Sequence, residues 1–67
     1  MKNTKLESAR AAKKLTQEQM ATKAAVSLRA YKAYESGDRI PRADVAIRIA
    51  RAVGRSVEWL FGADQRR

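Results

Sequence analysis

Cysteine and histidine are both absent from this 67-residue chain. Their absence removes the soft ligands of a zinc site together with the commonest catalytic nucleophile and general base, so neither a metal-dependent nor a triad-type enzyme is expected. No other convergent acid and base constellation replaces them, and no cofactor, metal or small-molecule ligand is suggested. Aromatic residues are few (two Tyr, one Trp, one Phe), and the 45% apolar fraction leans on alanine. Helices drawn close through small side chains suit that composition better than a sheet sandwich. No apolar run is long enough to span a bilayer, and Met1-Lys2-Asn3-Thr4-Lys5 leads into no apolar signal region, so a cytoplasmic protein with no membrane partner is expected. Acidic residues are scarce as well, 7 against 15 Lys and Arg, for a net charge of +8. A balance this basic is the electrostatic footprint expected of a protein that meets polyanions.

No repeat, low-complexity linker or second domain is visible, so residues 1–67 read as one domain ending in a polar, basic tail at 63–67. A domain of this size buries only about 60% of its unfolded surface. Its stability should be modest, and a partner subunit would help.

The informative stretch runs from Leu15 to Gly37, L-T-Q-E-Q-M-A-T-K-A-A-V-S-L-R-A-Y-K-A-Y-E-S-G. Thr16 is placed to cap a helix, with Gln19 at the third helical position to complete a capping box and Leu15 and Met20 at the two positions of a hydrophobic staple. This helix runs to about Ala24. Ser27 is a second N-cap, Leu28 to Ser36 contains no breaker, and Gly37 is placed to end the helix in the left-handed conformation. Two short helices joined by a turn of three or four residues, here spanning about 16–36, form a helix-turn-helix, whose second member can enter the major groove of DNA.

The flanking segments are also helical. Thr4-Lys5-Leu6-Glu7 reads as a capping box that starts a first helix at Lys5 and lets it run to about Lys13. Gly37-Asp38-Arg39-Ile40-Pro41 is a turn cluster in which Pro41 stops the third helix from continuing. Ala43, Ala46, Ile47, Ala50 and Val53 follow the i, i+3, i+4 rule of a fourth helix closed by Gly54. Ser56 can cap a short last helix, Val57 to Phe61.

Five helices in this order, with Leu15-Thr16-Gln17-Glu18, Val26-Ser27, Tyr34-Glu35-Ser36-Gly37, Pro41, Ala50-x-Ala52-Val53-Gly54 and Ser56-Val57-Glu58-Trp59-Leu60 in register, resemble the lambdoid phage repressors and Cro proteins and the wider xenobiotic-response-element-type family. The resemblance covers about Leu6 to Gly62 and implies an all-α, five-helix, lambda-repressor-like DNA-binding domain. The chain departs from the family pattern at Lys14 and Ala25, where glycine is frequent, and each costs roughly 1 kcal/mol or more if its backbone is left-handed. It departs again at Arg42, where family members often place a serine cap. A cation at the positive end of a helix is unfavourable unless an anion such as a DNA phosphate is near.

A recognition helix presents its N-terminal residues to base edges. With Tyr31 and Tyr34 taken as the buried side, the outward set is Ser27, Leu28, Arg29, Lys32 and Ala33. Arg29 is suited to the paired acceptors of guanine, Lys32 to a guanine or a phosphate, and Leu28 and Ala33 to thymine methyl groups. A solvated charged face is the plain alternative for these residues. Gln17, at the start of the second helix, is implied by the resemblance to contact the DNA backbone or to position a recognition-helix side chain. Ser36, Arg39 and Arg42 flank the end of the third helix and are expected to add backbone contacts, which set register rather than sequence choice. Trp59 and Leu60 read as core, and Val57 and Phe61 as a partner surface, because repressors of this type pair through this region. The resemblance further implies a partly buried ion pair between Arg10 and Glu35.

The expected function is therefore a sequence-specific transcriptional regulator, in the simplest case a repressor, that binds palindromic double-stranded DNA as a homodimer. The competing reading is an antitoxin or similar interaction module that also binds its own promoter. RNA binding is less favoured, because no exposed aromatic platform is evident.

Overall fold

The computed structural model describes residues 2–62, and all regular structure among them is helical. The basic tail expected at 63–67 lies outside the described residues. Four α-helices, α1 (Thr4–Ala12), α2 (Gln17–Ala24), α3 (Leu28–Ser36) and α4 (Ala43–Val53), are followed by a π-helical turn, Glu58–Gly62.

Each start has a local cause. Thr16 and Gln19 form the reciprocal capping box, with the Gln19 N–H donating to Thr16 Oγ1 at 3.0 Å and the Thr16 N–H donating to Gln19 Oε1 at 2.8 Å. Ser27 Oγ accepts from the Ala30 N–H at 3.0 Å and starts α3. At the first helix the cap lies one residue earlier than expected. Asn3 Oδ1 accepts from the Leu6 N–H at 3.0 Å, which makes Thr4 the first helical residue, while Glu7 pairs with Lys2 at 3.1 Å. Asparagine and threonine both cap well, and long-range bonds decide between them. The Asn3 N–H donates to the Glu35 carbonyl at 2.8 Å and its side-chain amide to the Leu60 carbonyl at 3.0 Å, bonds that hold Asn3 at the meeting point of α1, α3 and the π-helical turn.

One large side chain from each α-helix is fully buried: Leu6, Met20, Tyr31 and Ile49. Leu15 and Val26 from the two turns pack on this core, as the staple at Leu15 requires. The apolar stripe of α4 is rotated from the expected one. Val45, Ala46, Ile49, Ala50 and Val53 face inward, whereas Ala43 is exposed and Ile47 keeps 44% of its surface. Two phases of the i, i+3, i+4 rule share Ala46, Ala50 and Val53; the one chosen buries Val45 and Ile49, two branched side chains, and exposes one branched side chain, Ile47, with the small Ala43. The last segment also differs. Ser56 caps it as expected, accepting from the Trp59 N–H at 3.0 Å, but its i→i+5 winding re-phases the side chains. Leu60 and Phe61 are buried, and Trp59 lies half-buried with Arg55 at 4.4 Å and Lys5 at 5.4 Å from its ring centre.

Lys14 and Ala25 both have φ of +59°, so the turns on either side of α2 each hold a non-glycine residue in the left-handed region. An L-residue there carries about 1–2 kcal/mol of strain. Glycine removes the strain but returns part of the gain to the unfolded chain as entropy. Lys14→Gly and Ala25→Gly are each expected to stabilise by about 0.5–1 kcal/mol. Thermal unfolding should show a rise of several degrees for each, and an unchanged or lower midpoint would contradict the strain.

Candidate nucleic-acid interface

The side of α3 turned inward is held by more than apolar contact. Tyr31 and Tyr34, one turn apart, meet edge to face with ring centres 6.5 Å apart, and both are buried. Beside them lies Glu35, a carboxylate with 4% of its surface exposed. It accepts from Arg10 Nε at 2.6 Å and from the Tyr31 hydroxyl at 2.6 Å through one oxygen, and from Gln17 Nε2 at 3.0 Å through the other. The Arg10 guanidinium also donates to the Leu15 carbonyl at 2.7 Å. Among the described residues no buried side-chain nitrogen or oxygen is left without a hydrogen-bond partner, as a buried network requires.

Arg10 and Glu35 thus stand where the resemblance implied, as a pair with side-chain exposures of 17% and 5%. Gln17, half-buried at the start of α2, spends one amide donor on Glu35 and thereby ties α2 to α3. The Tyr31 hydroxyl is a member that sequence reading treated only as core. The signal was present, a tyrosine rather than a phenylalanine four residues before a glutamate, which on a helix brings the two side chains together.

The opposing effects on Glu35 are distinct. Burial pushes its carboxyl up, but hydrogen bonds from Arg10, Tyr31 and Gln17 outweigh that and hold it below its ordinary value of 4.5. The Arg10 guanidinium is driven further up, chiefly by its hydrogen bond to Glu35. Burial first, and then the Glu35 carboxylate, push the Tyr31 phenol far up.

The opposite side of α3 carries the reading candidates. Ser27, Arg29 and Lys32 are exposed, and Leu28 and Ala33 are intermediate. Ser27 Oγ is already engaged in capping, and part of Leu28 packs on the core, so Arg29 and Lys32 are the freest members of the set. Arg29 and Arg39 line one shallow groove together with Ser27, Ala30, Ala33 and Asp38, which brings the α3–α4 loop beside the start of α3. Ser36 Oγ donates back to the Ala33 carbonyl at 3.1 Å. Arg42 is exposed at the N-cap of α4, makes no capping bond, and has Asp44 at 3.4 Å. That carboxylate offsets some of the charge Arg42 places at the positive helix end.

Of the two residues expected at a partner surface, Val57 is intermediate, whereas Phe61, 8% exposed, belongs to the core of its own chain. The π-helical winding is the reason, since spacing by four does not keep two side chains on one face there. Arg48 went unnoticed in the sequence; its Nε donates to the Ala24 carbonyl at 2.8 Å and closes the C-terminal end of α2. Nothing in its spacing distinguishes it from the neighbouring arginines.

The linkage between Glu35 and folding has a definite sign. Because the folded carboxyl titrates below its ordinary value, its stabilising contribution is complete above about pH 4.5 and is lost as pH falls through the lower folded value. Chemical unfolding below pH 5 should show stability declining with pH, and Glu35→Gln should flatten that decline; an unchanged slope would remove Glu35 from the account. In a double-mutant cycle, Arg10→Met and Glu35→Leu should each destabilise strongly, approaching about 3–5 kcal/mol for a buried charge left alone. Additive effects within about 0.5 kcal/mol would mean that the two side chains do not interact.

A family model described as Helix-turn-helix matches residues 6–60, which spans α1 to the π-helical turn. No similar curated protein and no similar solved structure was found. No helix among the described residues is long and apolar enough to cross a membrane. The match covers the capped α2–turn–α3 unit together with the helices that brace it, and the chain belongs to the helix-turn-helix family of xenobiotic-response-element type, the DNA-binding regulators that include lambda repressor and Cro.

Proposed function

We propose that this DNA-binding helix-turn-helix regulator is a sequence-specific repressor that occupies a palindromic operator as a homodimer, with one α3 helix in the major groove of each half-site. The observation that carries the reading is the division of α3 into two sides. Tyr31, Tyr34 and Glu35 are buried, with Tyr31 hydrogen-bonded to Glu35, while Arg29 and Lys32 stand exposed on the first turns, the end a recognition helix presents to base edges. Arg29 supplies the planar fork that matches guanine. Lys32 reaches a base or phosphate one turn on, and Leu28 and Ala33 meet thymine methyl groups, beside Ser27. Gln17, Ser36, Arg39 and Arg42 grip the backbone on either side. Val57 is the surface candidate for pairing, with Phe61 supporting it from within each protomer.

Selection of duplexes from a random library should yield a site with two-fold symmetry. On that site Arg29→Ala should weaken binding by about 1–3 kcal/mol and relax preference at one base pair, while Arg42→Ala should weaken specific and random DNA alike. Equal losses on both kinds of DNA for both variants would overturn the division of roles.

Two chains per operator, with half-sites about one helical turn apart, are expected in sedimentation. Val57→Asp should reduce that stoichiometry. A single chain bound to the complete site would refute the homodimer.

A further inference from the structure

Outside the reading side of α3, three cations meet on the α2–α4 side of the molecule. Lys23, from the last turn of α2, and Arg48, Arg51 and Ala52, from α4, line a shallow depression. The bond from Arg48 Nε to the Ala24 carbonyl, at 2.8 Å, fixes this patch against the C-terminal end of α2, a few residues before Ser27 starts α3. Arg48 is committed there, and Asp44 at 3.8 Å partly offsets its charge. Lys23 and Arg51 are exposed and, among the described residues, form no ion pair, so their charge is available to a partner.

We infer that Lys23 and Arg51 contact phosphates of the bound duplex beyond the base pairs that α3 reads. The inference rests on the proposed operator binding and extends its footprint. The start of α3 is the end offered to base edges, and the cationic strip borders the C-terminal end of α2, from which a short turn leads to that start. DNA leaving the half-site on that side is the polyanion nearest to it, and a flank curving toward the protein would bring its backbone within reach of the two side chains. Phosphate contacts of this kind add affinity and salt dependence without changing which bases are read.

The test uses the full chain and a duplex chosen by selection, prepared as the site alone and with about one helical turn of unrelated sequence on each side. Wild type should bind the longer duplex more tightly, with a logarithmic salt slope steeper by about 1.8 for two added phosphates. The double variant Lys23→Gln, Arg51→Gln, checked for helical content by circular dichroism, should match wild type on the short duplex and lose the gain on the long one. The inference is overturned if wild type shows the same slope on both lengths, or if the variant keeps the gain. It is also overturned if polyglutamate binds wild type but not the variant while the length effect stays intact, since the patch then takes an acidic polypeptide. Failure of wild type to bind the short duplex at all would instead refute the operator reading itself.

Discussion

A single carboxylate, that of Glu35, sits almost wholly out of water, and the arrangement of three helices follows from satisfying it. Removing an ionised carboxylate from solvent costs several kcal/mol unless charge and hydrogen bonds replace the water. Here Arg10 brings the charge from α1, Gln17 an amide from the start of α2, and Tyr31 a hydroxyl from α3 itself. Withdrawing Arg10 alone leaves the buried carboxylate without an opposite charge, and withdrawing Gln17 or Tyr31 removes one of the hydrogen bonds that replace its water. An apolar pair of similar volume could equal the ion pair in free energy, but it could not equal it in direction. Hydrogen bonds of 2.6–3.0 Å set the rotation of α3 about its own axis as apolar contact does not, and that rotation decides which residues face outward to be read.

The same helix therefore holds charge in two different states. Glu35 is enclosed and matched by Arg10 of α1, while Arg29 and Lys32 are exposed and, among the described residues, have no acidic partner. Solvated cations of this sort add little to folding, yet they are the groups a phosphate or guanine can recruit without first breaking a protein contact. Arg42 lies between these states, since Asp44 is near enough to moderate it and both remain open to solvent.

Legibility in the sequence followed the range of the interaction. The caps at Thr16 and Ser27, the left-handed ends at Gly37 and Gly54, and the two sides of α3 depend on residues a few positions apart, and they could be read directly. Where two local solutions were equally good, the sequence alone did not choose. Asn3 prevailed over Thr4 because of bonds to Glu35 and Leu60, which lie far along the chain. The α4 stripe took the phase that buried Val45 and Ile49, a choice made by what α2 offers across the interface and not by periodicity. Phe61 turned inward because a π-helical turn departs from the spacing on which the reading relied. Within the candidate site, the Arg10–Glu35 pair was accessible through the family resemblance, whereas the tyrosine hydroxyl that completes it was signalled only by the four-residue spacing of Tyr31 and Glu35.

The strained turns at Lys14 and Ala25 show how much these contacts carry. Both ends of α2 are joined to the rest of the molecule through a residue in the left-handed region, the conformation glycine would supply without strain. Neither turn is left to local preference. Next to Lys14, the Leu15 carbonyl accepts from the Arg10 guanidinium while the Leu15 side chain packs on the core. Next to Ala25, the Ala24 carbonyl accepts from Arg48, and Val26 packs inward. A non-native turn would therefore have to break a charged hydrogen bond and expose an apolar side chain together, which outweighs strain of about 1–2 kcal/mol per residue. The two arginines that impose these turns are both held by neighbouring helices, so α2 and α3 keep their mutual angle even though the turn between them lacks the residue best suited to it.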